Sequence, residues 1–142
     1  LELNSSFSQA TAMTGIAKFH LGEQDEGLQL LQNGIQAAPE DPHRFRHQRE
    51  LALAYFIVGD EGRAAQVVAK LVRQAPDLLR NHLISVPILW HAGQQEVAQK
   101  CVQELVAGEP TLSRSTMRPM HIRDAALAAR FADGFSAAGL PD

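Results

Sequence analysis

The chain has 142 residues, 45% of them hydrophobic, with a formal net charge of −3 and a pI near 6.1. That is one domain's worth of sequence with enough apolar material for a continuous core, and its acidic balance excludes a general attraction to nucleic acid or an anionic membrane. Cys101 is the single cysteine, which rules out an intrachain disulfide; there is no apolar run of about 18 residues and no signal-peptide pattern, so the expected compartment is the cytoplasm.

The elements follow in chain order. Leu1-Glu2-Leu3-Asn4-Ser5 reads as the end of a helix from a preceding repeat, which implies that the natural protein extends further toward its N-terminus. Phe7, Ala10, Met13, Ala17 and Leu21 recur at helical spacing and predict a helix over 6–20, with a partner over 24–37. Pro39-Glu40-Asp41-Pro42 makes a rigid turn. Helices over 42–58 and 61–74 come next, the second opened by Asp60 and Glu61, whose negative charge suits a helix start. A further pair covers 77–91 and 95–107. A short helix over 111–117 precedes a last one that Asp124 caps and Gly139 ends.

One rhythm organises these elements. Gly22, Gly59 and Gly93 are spaced by 37 and then 34 residues. Each is followed by a small residue (Gly27, Ala64, Ala98), an apolar one (Leu31, Val68, Val102), another helix-facing residue (Gly34, Leu71, Leu105) and a proline (Pro39, Pro76, Pro110). The first glycine of each set can take the left-handed conformation that ends a helix, and the proline closes the next one. Gly27 and Gly34 lie seven apart on one helix face, where two backbones can approach closely. A fixed period of this size marks a stacked-repeat protein.

The register resembles the tetratricopeptide family, whose repeat pairs two antiparallel helices in about 34 residues with the pattern W-x2-L-G-x2-Y, A-x3-F, P. Ala52, Tyr55, Gly59, Ala64, Val68 and Pro76 match in the second repeat, and Val86, Leu89, Gly93, Ala98, Val102 and Pro110 in the third. In the first, Gly15 fits, but Lys18 replaces the aromatic and Gly27 the alanine. The resemblance implies an all-α right-handed α-solenoid of antiparallel helix pairs with a C-terminal capping helix. It divides the chain into the end of a truncated repeat (1–5), repeats at 6–41, 42–77 and 78–110, and a capping tail (111–142). In that tail Leu127, Phe131 and Phe135 lie four apart on one face, expected to cover the apolar end of the stack. The string RDAALAARFADGFSAAGLPD also resembles the ending of tetratricopeptide segments in bacterial class III adenylate/guanylate cyclase-like proteins and in some winged-helix regulators. Arg123, Asp124, Arg130, Gly134, Ala138, Gly139, Leu140 and Pro141 fit, while Ala125 stands where proline is expected.

The resemblance implies a function in protein–protein interaction through a groove lined by the first helix of each pair. Those positions are Gln9, Ile16, Phe19, Arg46, Arg49, Leu53, Phe56, Arg80, Leu83 and Trp90, which suit a protein or peptide carrying carboxylates and apolar side chains. A second copy of the chain, meeting it around Phe7 and Met13, is an alternative partner. His43 to Arg49 holds three arginines and two histidines, which either bind an acidic group or scatter around the helix as a solvated face. Pro87 either kinks its helix or frees the carbonyl of Leu83 for a ligand. No catalytic residue, metal site or cofactor is expected. The six histidines are dispersed, and no H-E-x-x-H, G-x-G-x-x-G or G-x-S-x-G motif occurs. The effector domain of the parent is expected to lie upstream: a cyclase, or alternatively a winged helix; a small-molecule sensor is a further alternative.

Overall fold

Three times the chain leaves one helix and enters the next through the same turn. The computed structural model describes residues 2–114 and 122–142, with side chains from residue 6. Its helices are α1 (Glu2–His20), α2 (Gln24–Ala37), α3 (Arg44–Ile57), α4 (Glu61–Gln74), α5 (Leu79–His91), α6 (Gln95–Gly108) and α7 (Ala125–Ala137). The described residues contain no strand, and none of their helices is long and apolar enough to cross a membrane. The fold divides into two compact units, Leu1–Ala54 and Tyr55–Asp142, with the boundary inside α3.

Gly22, Gly59 and Gly93 all have positive φ, at 99°, 87° and 87°. At each, the glycine N–H donates to the carbonyl three residues back, and the next N–H reaches five back: Gly22 to Phe19 (3.1 Å) and Glu23 to Lys18 (3.0 Å), with the same pairs after Phe56 and Trp90. This double bond is the Schellman motif, which satisfies the last carbonyls of a helix and needs a residue without a Cβ penalty. The ends of the second helices repeat as well. Ala38, Ala75 and Glu109, each before a proline, have φ of −144°, −138° and −142°, the extended backbone that a following proline imposes. The periodic glycines and prolines of the sequence are therefore matched by periodic backbone geometry. Asp60 caps α4 by accepting from the Arg63 N–H at 3.2 Å. Asp60→Ala is expected to cost about 1 kcal/mol, measurable as a lowered urea midpoint.

In the first unit the glycines on α1 and α2 bring the two backbones together. A Cβ on Gly27 would stand 2.5 Å from the Phe19 nitrogen and 2.7 Å from the Gly15 carbonyl oxygen; one on Gly34 would stand 2.6 Å from the Ala12 nitrogen. Ser8 Oγ donates to the Gly34 carbonyl across the same seam. Lys18, standing where the repeat pattern has an aromatic, ties the end of α1 to the start of α2 through Glu23 (2.9 Å) and Glu26 (3.3 Å). One expectation is corrected: residues 2–5 form the first turns of α1 rather than the end of an earlier helix. Nothing between Glu2 and Phe7 is a glycine or proline that could break it.

In the second unit α5 is the central helix, packed by α4, α6 and α7. It is buried on nearly every side, including at Asn81, His82 and Ser85, so its polar groups need internal partners. Asn81 Nδ2 donates to the Leu71 carbonyl (3.4 Å), Ser85 Oγ to the Asn81 carbonyl (2.5 Å), and His82 Nε2 to the Pro76 carbonyl (2.6 Å). Cys101 on α6 is buried, and burial pushes its thiol up to about 11, with Glu104 adding to the effect. A thiol reagent at pH 8 should leave Cys101 unmodified in the folded chain and label it after urea denaturation; rapid labelling of folded protein would contradict this packing.

Asp124 caps α7, accepting from the Leu127 N–H at 2.9 Å, and Gly139 (φ 104°) ends it with the same Schellman pair as the earlier turns. Of the short helix expected at 111–117, residues 111–113 are not helical and 115–117 lie outside the described residues.

Candidate functional site

The expected groove positions take three different environments. On α1, Gln9 and Ile16 are half-buried, and Gln9 Nε2 approaches Asp41 Oδ2 at 3.5 Å. Arg46 is exposed and Arg49 half-buried on α3. Arg80 is exposed at the start of α5, where Leu83 and Trp90 are half-buried. These seven side chains present at least part of their surface. Phe19, Leu53 and Phe56 do not, and for them the expectation of a partner-facing side chain is corrected: all three are core residues.

Their burial has identifiable causes. In the first unit Ile16, Phe19 and His20 of α1, Leu31 of α2, and Glu50, Leu53 and Ala54 of α3 surround one open recess of about 200 Å³. The His20 ring meets Phe19 edge-on at 5.6 Å and lies 4.0 Å from Glu50. The recess brings together Ile16, Phe19 and Leu53 from the expected set. The enclosed space within it is about 10 Å³, room for no more than a water molecule.

In the second unit Phe56 is 1% exposed because α7 lies on it. The Phe131 ring meets Phe56 edge-on at 5.2 Å, and Phe135 meets Phe131 at 5.8 Å. The Arg130 guanidinium stands 5.5 Å above the Phe56 ring and pairs with Glu61. His91 Nε2 donates to the Arg130 carbonyl at 2.6 Å. A Cβ on Gly134 would stand 2.7 Å from Pro87 Cα, so α7 and α5 touch backbone to backbone at that point. The apolar face read from Leu127, Phe131 and Phe135 is the one that docks, with both phenylalanines buried. It covers Phe56, Pro87 and His91, which include a position assigned from the register to a partner.

Pro87 sits inside α5, which continues through it. Arg80, Leu83, Pro87 and Trp90 share one face by helical spacing, and Pro87 on that face is buried against Gly134.

The basic segment at the start of α3 scatters around the helix. Asp41 opens the helix by accepting from the His43 N–H (2.7 Å), while its carbonyl accepts from Arg44 Nη1 (3.1 Å). Arg44 stacks over Phe45 at 4.3 Å, Arg46 is exposed and His47 is buried. Burial holds His47 below the ordinary histidine value; Asp41 works in the opposite direction. Because the folded state disfavours its protonation, stability carried by neutral His47 is fully present above the unfolded value near 6.5. It is lost as pH falls below that value. The urea midpoint should drop between pH 7.5 and pH 5, and His47→Gln should flatten the drop.

Among the described residues no group of three or more His, Cys, Asp or Glu is placed to hold a metal ion. The sequence assigns the aromatic face of α7 to the apolar end of the stack, without naming Phe56, Pro87 or His91 as the residues it meets. Neither protein-family models nor curated proteins provide a match to this chain.

Proposed function

We propose that this chain is a non-catalytic protein–protein interaction module of the tetratricopeptide type. Its helix pairs stack as a right-handed solenoid whose first helices, α1, α3 and α5, line the partner surface. The observation that supports this reading most is the recurrence of one turn at Gly22, Gly59 and Gly93, with matching ends at Ala38, Ala75 and Glu109. Identical local geometry at a fixed period is what stacked repeats require. A fold of this kind does not by itself name a partner. The partner chemistry comes from Arg46, Arg49 and Ile16 in the first unit and from Arg80, Leu83 and Trp90 in the second, and each set suits an amphipathic segment with carboxylates along one edge.

The ending of the chain supports a place as the C-terminal scaffolding or regulatory segment of a bacterial cyclase-like signalling protein in the cytoplasm. A test is charge reversal. An acidic amphipathic peptide selected against the chain should bind the Arg46→Glu, Arg49→Glu double variant at least tenfold more weakly, with the loss shrinking as salt rises. Equal binding by the double variant would contradict an arginine-lined partner surface.

A further inference from the structure

The exposed side of α1 differs from that of the other helices. Between residues 6 and 20 its exposed positions are Ser6, Phe7, Ala10, Met13, Thr14 and Ala17, with no charge among them. On α2 the exposed positions include Asp25, Glu26, Gln29 and Asn33, and on α4 Arg63, Lys70 and Arg73, the polar composition of a helix face that meets water. Phe7 is 71% exposed and Met13 53%; Leu21, whose N–H continues the helix by donating to the Ala17 carbonyl (3.0 Å), is 73% exposed. Phe7, Ala10, Thr14, Ala17 and Leu21 fall at spacings of 3, 4, 3 and 4, the seam along which one helix pairs with another. The Thr14 hydroxyl already donates to the Ala10 carbonyl (2.7 Å), so covering it leaves that group satisfied. We propose that this face is the interface of a two-fold homodimer, in which α1 packs antiparallel against α1 of a second copy with Thr14 on the axis.

The occupant is a second copy because the face is its own complement. Counted from Thr14, its members stand at −7, −4, +3 and +7, so the row reads nearly the same in either direction. Phe7 and Leu21 lie equally far from Thr14, roughly 10 Å along the axis on either side. A two-fold axis through Thr14 therefore sets Phe7 of each copy beside Leu21 of the other, at both ends of the contact. The middle, made of Ala10, Thr14 and Ala17, carries only small side chains and lets the two helices approach closely. An isologous interface requires this match of a surface to itself. A charged partner would find no counter-charge here, because Lys18, next to Ala17, is already held by Glu23 (2.9 Å) and Glu26 (3.3 Å). Met13 flanks the row, where its flexible thioether fills an irregular edge. Gln9 and Ile16 stand two residues beyond Phe7 and Thr14, about 200° around the helix. The dimer therefore leaves those positions open and does not rest on the reading of a partner groove.

Sedimentation equilibrium of the full chain, from about 1 μM to about 1 mM, should show monomer and dimer in a concentration-dependent balance. Thr14→Arg sets two like charges against each other at the axis and should weaken the dimer by about tenfold or more. Thr14 is exposed in the single chain, so far-UV circular dichroism of the variant should match that of the wild type at low concentration. Gln29→Arg, on the exposed side of α2, should leave the dimer unchanged. Cysteine trapping reads the orientation. Under mild oxidation Thr14→Cys should link to itself, and Phe7→Cys should link to Leu21→Cys when the two variants are mixed, but not to itself; Cys101 is buried and takes no part. A wild-type chain that stays monomeric over the whole range overturns the proposal. So does a dimer that Thr14→Arg leaves intact, or one in which Phe7→Cys links chiefly to itself, since the helices then run parallel.

Discussion

Gly27→Ala is expected to destabilise the first unit by about 2–3 kcal/mol, although alanine is the better helix former by about 1 kcal/mol. The added methyl would sit 2.5 Å from the Phe19 nitrogen, 2.8 Å from Phe19 Cα and 2.7 Å from the Gly15 carbonyl oxygen. All three are backbone atoms, so no side chain can rotate away, and α1 and α2 must separate. Separation breaks the seam that Gly15 and Gly34 also form, and overpacking of this kind costs about 1–3 kcal/mol before the lost contacts are counted. Urea denaturation followed by circular dichroism should show the drop. Gly62→Ala provides the opposite sign. Gly62 lies in α4 with open space around the position of a Cβ, so alanine should raise stability by about 0.5 kcal/mol.

Phe131→Ala should release α7. Phe131 is 2% exposed and touches both Phe56 and Phe135. Removing a buried phenylalanine ring costs about 3–5 kcal/mol. A helix the length of α7 is marginal in water without tertiary contacts, so the loss falls first on α7. Amide hydrogen exchange should show protection lost across Ala125–Ala137 while α6 keeps most of its own. Uniform loss throughout the chain would mean that α7 is part of a single cooperative core.

These two residues also show what the sequence could and could not convey. The Gly27–Gly34 spacing marked close helix approach, and the structure has that approach, because a glycine pair seven apart has a purely local meaning. Gly27 stands where the repeat pattern has alanine, and the backbone distances give the reason: α1 and α2 are too close for a methyl group. Gly22, Gly59 and Gly93 were legible for the same local reason, as were the caps Asp60 and Asp124. Phe19, Leu53 and Phe56 were not. Register assigns a residue to a helix face, but whether that face is open depends on which other element covers it. For Phe56 that element is α7, more than 70 residues further along. Pro87 was marked as unusual by sequence, while its contact with Gly134 depends on a docking geometry that no local pattern encodes. Residues 2–5 were misassigned because the repeat was extended backwards by counting, with no proline or glycine there to end a helix.

The most direct test of the interaction reading is chemical-shift mapping of the full chain with an amphipathic helical peptide selected for binding to it. The largest shifts are expected at Ile16, Arg46, Arg49, Leu83 and Trp90, on α1, α3 and α5, with Gln29, Gln66 and Gln99 on α2, α4 and α6 unmoved. Shifts concentrated on α2, α4 and α6 would contradict the account.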